Sequence, residues 1–172
     1  MSQLTQFRKE KDAFFAGHHQ SPLTHEQKHD FNGLAYFPEN PDLVLEVTVE
    51  EFPEKQEVKM QTSTGDVQAY QRYGRYHFTV DGQEAALTIY GSDHDFFMPF
   101  VDSLAGKETY GAGRYLEPHP LGNGQFLIDF NYAYNPYCAY NEQWSCPFPP
   151  AENRVKVPIR AGEKTFEAHL IA

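Results

Sequence analysis

At 172 residues the chain is the size of one domain, and 40% apolar with 22% charged residues is the composition of a globular protein rather than a disordered one. A formal net charge of −10, from 14 Lys and Arg against 24 Asp and Glu with no basic stripe, repels phosphate backbones, so no nucleic-acid partner is expected. Met1 to Lys11 carries no apolar leader core and no stretch is apolar for long enough to span a bilayer. These features predict a soluble, cytoplasmic protein with no membrane partner, whose two cysteines are reduced.

In chain order, the first thirty-odd residues read as helical. Leu4, Phe7, Phe14 and Phe15 share one helical face, and Gly17 is a natural stop. A short second helix follows Ser21-Pro22-Leu23-Thr24, with Thr24 as N-cap and Gln27 at capping-box spacing. From Leu43 the period falls to two: Leu43, Leu45, Val47 and Val49 alternate with polar or second-face residues, as on a strand with one buried face. Val58 to Thr62 and Val67 to Arg72 flank a Gly65-Asp66 turn. Tyr76 to Val80 and Ala85 to Ile89 flank Asp81-Gly82, a hairpin signal because both residues tolerate positive φ. Phe96 to Val101 contains Pro99, which predicts an edge strand. Further strands are predicted at Gly113 to Leu116, Gln125 to Tyr132 and Arg154 to Ile159.

These elements predict a mainly β fold, an antiparallel sheet closed into a barrel or sandwich, with short N-terminal helices. One domain is expected over residues 1–172, with a helical segment at 1–33 and a β domain at 43–160. An irregular, proline-rich aromatic loop occupies 135–150.

Three stretches carry a resemblance. They are Gly106 to Leu116 (GKETYGAGRYL), Asp129 to Asn141 (DFNYAYNPYCAYN), and Ser145 to Arg154 (SCPFPPAENR) running on to Ile159 to Lys164 (IRAGEK). Together they resemble the uncharacterised domain of unknown function 1684 family. Ser21-Pro22-Leu23-Thr24 and the Gly74 to Tyr90 hairpin fit the same pattern, which implies membership and supplies no reaction.

Several constellations can carry chemistry. His25-Glu26-Gln27-Lys28-His29 spells the H-E-x-x-H pattern, in which His at i and i+4 hold Zn²⁺ and the Glu polarises water. The helix is short, His25 sits in its first turn, and His18, His19, His94 and His119 include no marked third ligand. A solvated helix is the better reading, and no metal or other cofactor is expected. Cys138 and Cys146 lack CxxC spacing. They can be buried structural thiols, a weak metal pair, a disulfide worth about 2.5 kcal/mol, or a reactive nucleophile at Cys138.

Asp129 and Asn131 project from one strand face into the loop, and Arg114 follows Gly111-Ala112-Gly113, which permits close backbone approach. If Arg114 and Asp129 converge, the guanidinium can clamp that carboxylate or an anionic ligand, with Glu108 or Asp129 as general base. The alternative is a purely structural network that satisfies the loop's polar backbone. The loop interleaves Tyr132, Tyr134, Tyr137, Tyr140, Trp144 and Phe148 with Asn135 and Asn141. Such walls make either a small-molecule pocket or an aromatic plug. The leading expectation is therefore a small-molecule-binding β domain whose ligand touches Lys107, Tyr110, Arg114, Asn131, Tyr134, Asn135, Cys138, Tyr140 and Trp144. A hydrolase using Glu108 or Asp129, its zinc-dependent version through His25, Glu26 and His29, and a structural or protein-interaction module are the competing expectations. Oligomeric state is left open.

Overall fold

A computed structural model describes residues 2–91, 95–141 and 143–166. Helix α1 (Gln3–Gly17) starts at Ser2, whose hydroxyl accepts the Thr5 N–H, and it buries Leu4 and Phe15. Phe7, expected on the same face, stays 39% exposed. Helix α2 (His25–His29) has the expected capping box, with Thr24 and Gln27 each satisfying the other's backbone N–H.

Among the described residues nine strands follow: β1 (Val44–Thr48), β2 (Glu50–Glu51), β3 (Glu57–Gln61), β4 (Val67–Val80), β5 (Gln83–Gly91), β6 (Phe96–Phe100), β7 (Arg114–Leu116), β8 (His119–Gly122) and β9 (Gln125–Asp129). They form two antiparallel sheets. The smaller has the order β1-β9-β8. The larger runs β2-β4-β5-β6-β7, with β3 also paired to β4. Among the described residues neither sheet closes on itself, so of the expected barrel or sandwich no closed barrel is seen, and the mainly β, antiparallel architecture is as expected. The two runs expected before and after Tyr73 are one long strand, β4, whose register to β5 shifts between Arg72 and Gly74. Its hairpin turns at Asp81 and Gly82, both at positive φ (50° and 80°).

One core joins the sheets. Tyr76, Phe78, Leu87, Ile89, Met98 and Phe100 come from the larger sheet and Phe126 and Ile128 from the smaller. Phe130, Val157 and Ile159 seal them. Rings carry much of this contact; Phe130 lies 5.5 Å from Phe100 and 5.7 Å from Phe78.

Two strand expectations are corrected. Strand β6 lies between β5 and β7 rather than at an edge. Pro99 is tolerated because its missing N–H is replaced by a side chain. Where the ladder would join Thr88 to Pro99, the fully buried Asn153 accepts the Thr88 N–H (2.8 Å) and donates Nδ2 to the carbonyls of Thr88 (2.9 Å) and Pro99 (2.8 Å). The Arg154 to Ile159 run is not a strand: it makes one bridge, at Arg154, and bends at Lys156 and Val157. It buries Val157 and Ile159 as the alternation requires, but its partner is the irregular 101–103 segment, through Val155 N–H to Val101 O and Ser103 N–H to Val157 O. Strand β8 went unpredicted, because its four residues are all exposed and carry no alternation.

Candidate functional site

Arg114, at the start of β7, is 1% exposed. Its guanidinium donates to three carbonyls of the chain's last described segment: Ile159 (2.8 Å), Ala161 (2.5 Å) and Glu163 (3.1 Å). Its ion-pair partner is Asp102 at 3.5 Å, not Asp129. Asp102 in turn accepts the Thr109 hydroxyl and the Ile159 N–H. Burial pulls the guanidinium down to about 10, opposed by the charges of Asp102 and Glu163. The glycine at 113 serves the expected close approach, since a Cβ there would sit 2.6 Å from Phe100 O. Gly162, at φ +81° with Ala133 O 2.6 Å from any Cβ, lets the segment turn around the guanidinium.

Asp129 is occupied differently. Its Oδ1 accepts the backbone N–H and the Nδ2 of Asn131, capping a 3-10 turn over Phe130–Tyr132 that ends the predicted strand early. Asn131 is buried and holds Asn40 through both its amide atoms. The convergence of Arg114 with Asp129 is thus replaced by two separate networks, each pinning irregular chain. The remaining expected residues are dispersed. Lys107 is exposed. The Glu108 side chain is 42% exposed and 3.7 Å from Arg160. Asn135 is buried and donates to Lys164 O, Tyr140 is buried against Glu163, and Trp144 is 40% exposed and edge-on to Tyr137 at 5.2 Å. His25, Glu26 and His29 all face outward on a five-residue helix. Among the described residues no group of three His, Cys, Asp or Glu is placed to hold a metal ion. His94 lies outside the described residues.

The structure's aromatic concavity sits where α1 crosses the start of the loop. A cleft of about 670 Å³ is walled by Phe7, Phe14 and Phe15 of α1 and by Tyr132, Tyr134 and Tyr137 across from them, with Leu116 behind. Its polar groups are Glu10, Lys11 and Glu117. Lys11 is ion-paired to the buried Glu163, which also accepts the Tyr140 hydroxyl, and its ammonium sits 5.0 Å from the centre of the Tyr134 ring. Glu117 accepts the Tyr134 hydroxyl at 2.6 Å, and burial followed by the Glu117 charge pushes that phenol far up. Tyr134 is the expected ligand-binding residue that lines this cleft. Glu10, Lys11, Glu117 and Glu163 were missed. The α1 pair had a signal, since Glu10 and Lys11 lie beside Phe7 and Phe14 on the helix. Nothing local in the sequence distinguishes Glu163.

The molecule is therefore a mainly β domain of two open antiparallel sheets, with an aromatic cleft under its N-terminal helix. The chain belongs to the family described as protein of unknown function (DUF1684), whose model matches residues 29–164. It is similar to an uncharacterized protein of Haloarcula marismortui solved by solution NMR, at 37% identity and a TM-score of 0.72. That match covers 95% of this chain and 92% of the other. A comparison with curated proteins gives no significant match. No helix among the described residues is long and apolar enough to cross a membrane.

Proposed function

We propose that this chain is a small-molecule-binding β domain whose ligand occupies the cleft between α1 and residues 132–137, and that the ligand is a small organic cation with an apolar body. The supporting observation is the cleft's charge pattern. Six rings and a leucine surround two carboxylates, while the single ammonium is already neutralised by Glu163. Ring faces are electron-rich and attract cations, by about 0.5–2 kcal/mol per contact. Glu10 and Glu117 add attraction of the same sign, and the volume falls in the range that holds drug-sized ligands. The site is thus displaced toward α1 from the Arg114 and Asp129 region that the sequence pointed to.

Three compounds of matched shape test this reading: phenethylamine, phenylacetate and 2-phenylethanol. The amine is expected to bind at least about tenfold more tightly than the carboxylate, a difference of about 1.4 kcal/mol. Glu117→Gln should narrow that gap without unfolding the protein, because Gln still accepts from Tyr134. Equal binding of all three, or preference for phenylacetate, overturns the cation assignment. Absence of binding by every member overturns the site.

A further inference from the structure

Outside the cleft, Cys138 and Cys146 form a second chemically distinctive cluster. Both are free and buried, at 3% and 7% exposure. Cys138 lies in a 3-10 turn (Tyr137–Ala139) after Pro136, and Cys146 precedes Pro147, which bridges to Thr62. The Cys138 N–H points at Cys146 Sγ, 3.2 Å away. The Tyr110 hydroxyl lies 3.7 Å from Cys138 Sγ. Ser63 Oγ accepts the Cys146 N–H and Ser63 N–H donates to Cys146 O, which fixes the second cysteine on the β3–β4 turn. Tyr115, Phe97, Tyr134 and Tyr137 pack around the sulfurs.

We propose that Cys138 and Cys146 are a redox-active dithiol, with Cys138 as the nucleophile and Cys146 as the resolving thiol, oxidised by hydrogen peroxide or a small organic hydroperoxide. The two sulfurs are unequal. The neighbouring Cys146 thiol, first, and the Tyr110 hydroxyl hold the Cys138 thiol down against its burial, while Cys146 is pushed up by Cys138 and by burial. Cys138 is therefore the more readily ionised of the two sulfurs. Its thiolate sulfur attacks the terminal peroxide oxygen: an S–O bond forms, the O–O bond breaks, and the leaving hydroxide, or the alkoxide of an organic hydroperoxide, takes up a proton to become water or an alcohol. Cys146 then attacks the Cys138 sulfenic sulfur. The S–S bond forms, the S–O bond breaks, and the departing hydroxide takes the Cys146 proton to leave as water. Both thiols are oxidised together by two electrons and the peroxide is reduced. The crosslink would close the loop that carries Trp144, the chain's single tryptophan, whose ring rests edge-on against Tyr137 next to Cys138.

The test uses the whole 172-residue chain, reduced and folded, with hydrogen peroxide as the probe. Peptide mass spectrometry is expected to find Cys138 and Cys146 joined in one monomeric chain, two hydrogens lighter, reverting with dithiothreitol, and the Trp144 emission should change with the same time course. The initial rate should fall as the pH is lowered, because protonation removes the attacking thiolate. In Cys146→Ser, dimedone should trap a sulfenic acid at Cys138. Because the wild-type measurement is decisive alone, misfolding of a variant leaves the outcome intact. The proposal is overturned if both thiols of the folded chain survive peroxide that oxidises them in guanidinium. It is equally overturned if Cys146 is the residue trapped first, or if only intermolecular disulfides form.

Discussion

Replacing Arg114 with methionine should cost the fold about 4 kcal/mol, because methionine fills the aliphatic volume and satisfies none of the guanidinium's partners. The wild-type side chain is 1% exposed and holds three carbonyls at 2.5–3.1 Å and Asp102 at 3.5 Å. Removing one partner of a buried ion pair costs about 3–5 kcal/mol, and each carbonyl left without a donor adds about 1–3 kcal/mol unless water enters. Asp102 keeps the Thr109 hydroxyl and the Ile159 N–H, and water entering beside the shorter methionine takes over the three carbonyls, which leaves the loss within the ion-pair range. For a domain of this length the change corresponds to a fall in Tm of about 8–16 °C. Urea unfolding of Arg114→Met, Asp102→Asn and the double variant forms a cycle, and a coupling of at least about 1.5 kcal/mol is expected. A loss below about 1 kcal/mol for Arg114→Met, or additive single effects, would refute the claim that this pair anchors the C-terminal segment.

Other consequences follow from the same contacts. Asn153→Ala removes the amide that stands in for the missing Pro99 N–H, so unfolding should become easier by about 2–4 kcal/mol; hydrogen exchange at Thr88 should rise with it, and a neutral result would mean water replaces the amide. Glu163→Gln strips Lys11 of its counter-charge beside the cleft; phenethylamine affinity should fall at least about threefold and phenylacetate affinity rise, read by calorimetry. His25→Ala with His29→Ala should leave Tm within about 2 °C, and elemental analysis of untagged protein should find zinc far below one equivalent; stoichiometric zinc lost in the double variant would restore the metal reading.

What the sequence disclosed follows from how local each signal is. The hairpin at Asp81-Gly82, the capping box at Thr24 and the alternation through β1 and β4 are written within a few neighbouring residues, and the structure carries them; β5 forms, but Leu87 to Gly91 are all buried instead of alternating. The failures are long-range. Pro99 reads as an edge residue until Asn153, 54 positions away, is seen to complete its ladder. Arg114 and Asp129 each looked like half of a site, but partner choice among buried charges is set by chain packing. Asp102 reaches Arg114, whereas Asp129 spends its oxygen on Asn131 two residues on. The aromatic segment was legible as a wall. Its opposite wall, α1, was legible only as an amphipathic helix, so Glu10 and Lys11 passed as solvated charges.

Chemical-shift mapping tests the cleft most directly. In ¹H–¹⁵N spectra titrated with phenethylamine, saturable shifts are expected at residues 7–15, 116–117 and 132–137, with the Asp129 and Glu108 amides nearly still. Shifts centred instead on the Asp129 strand end, or spread over the surface without saturation, would contradict the account.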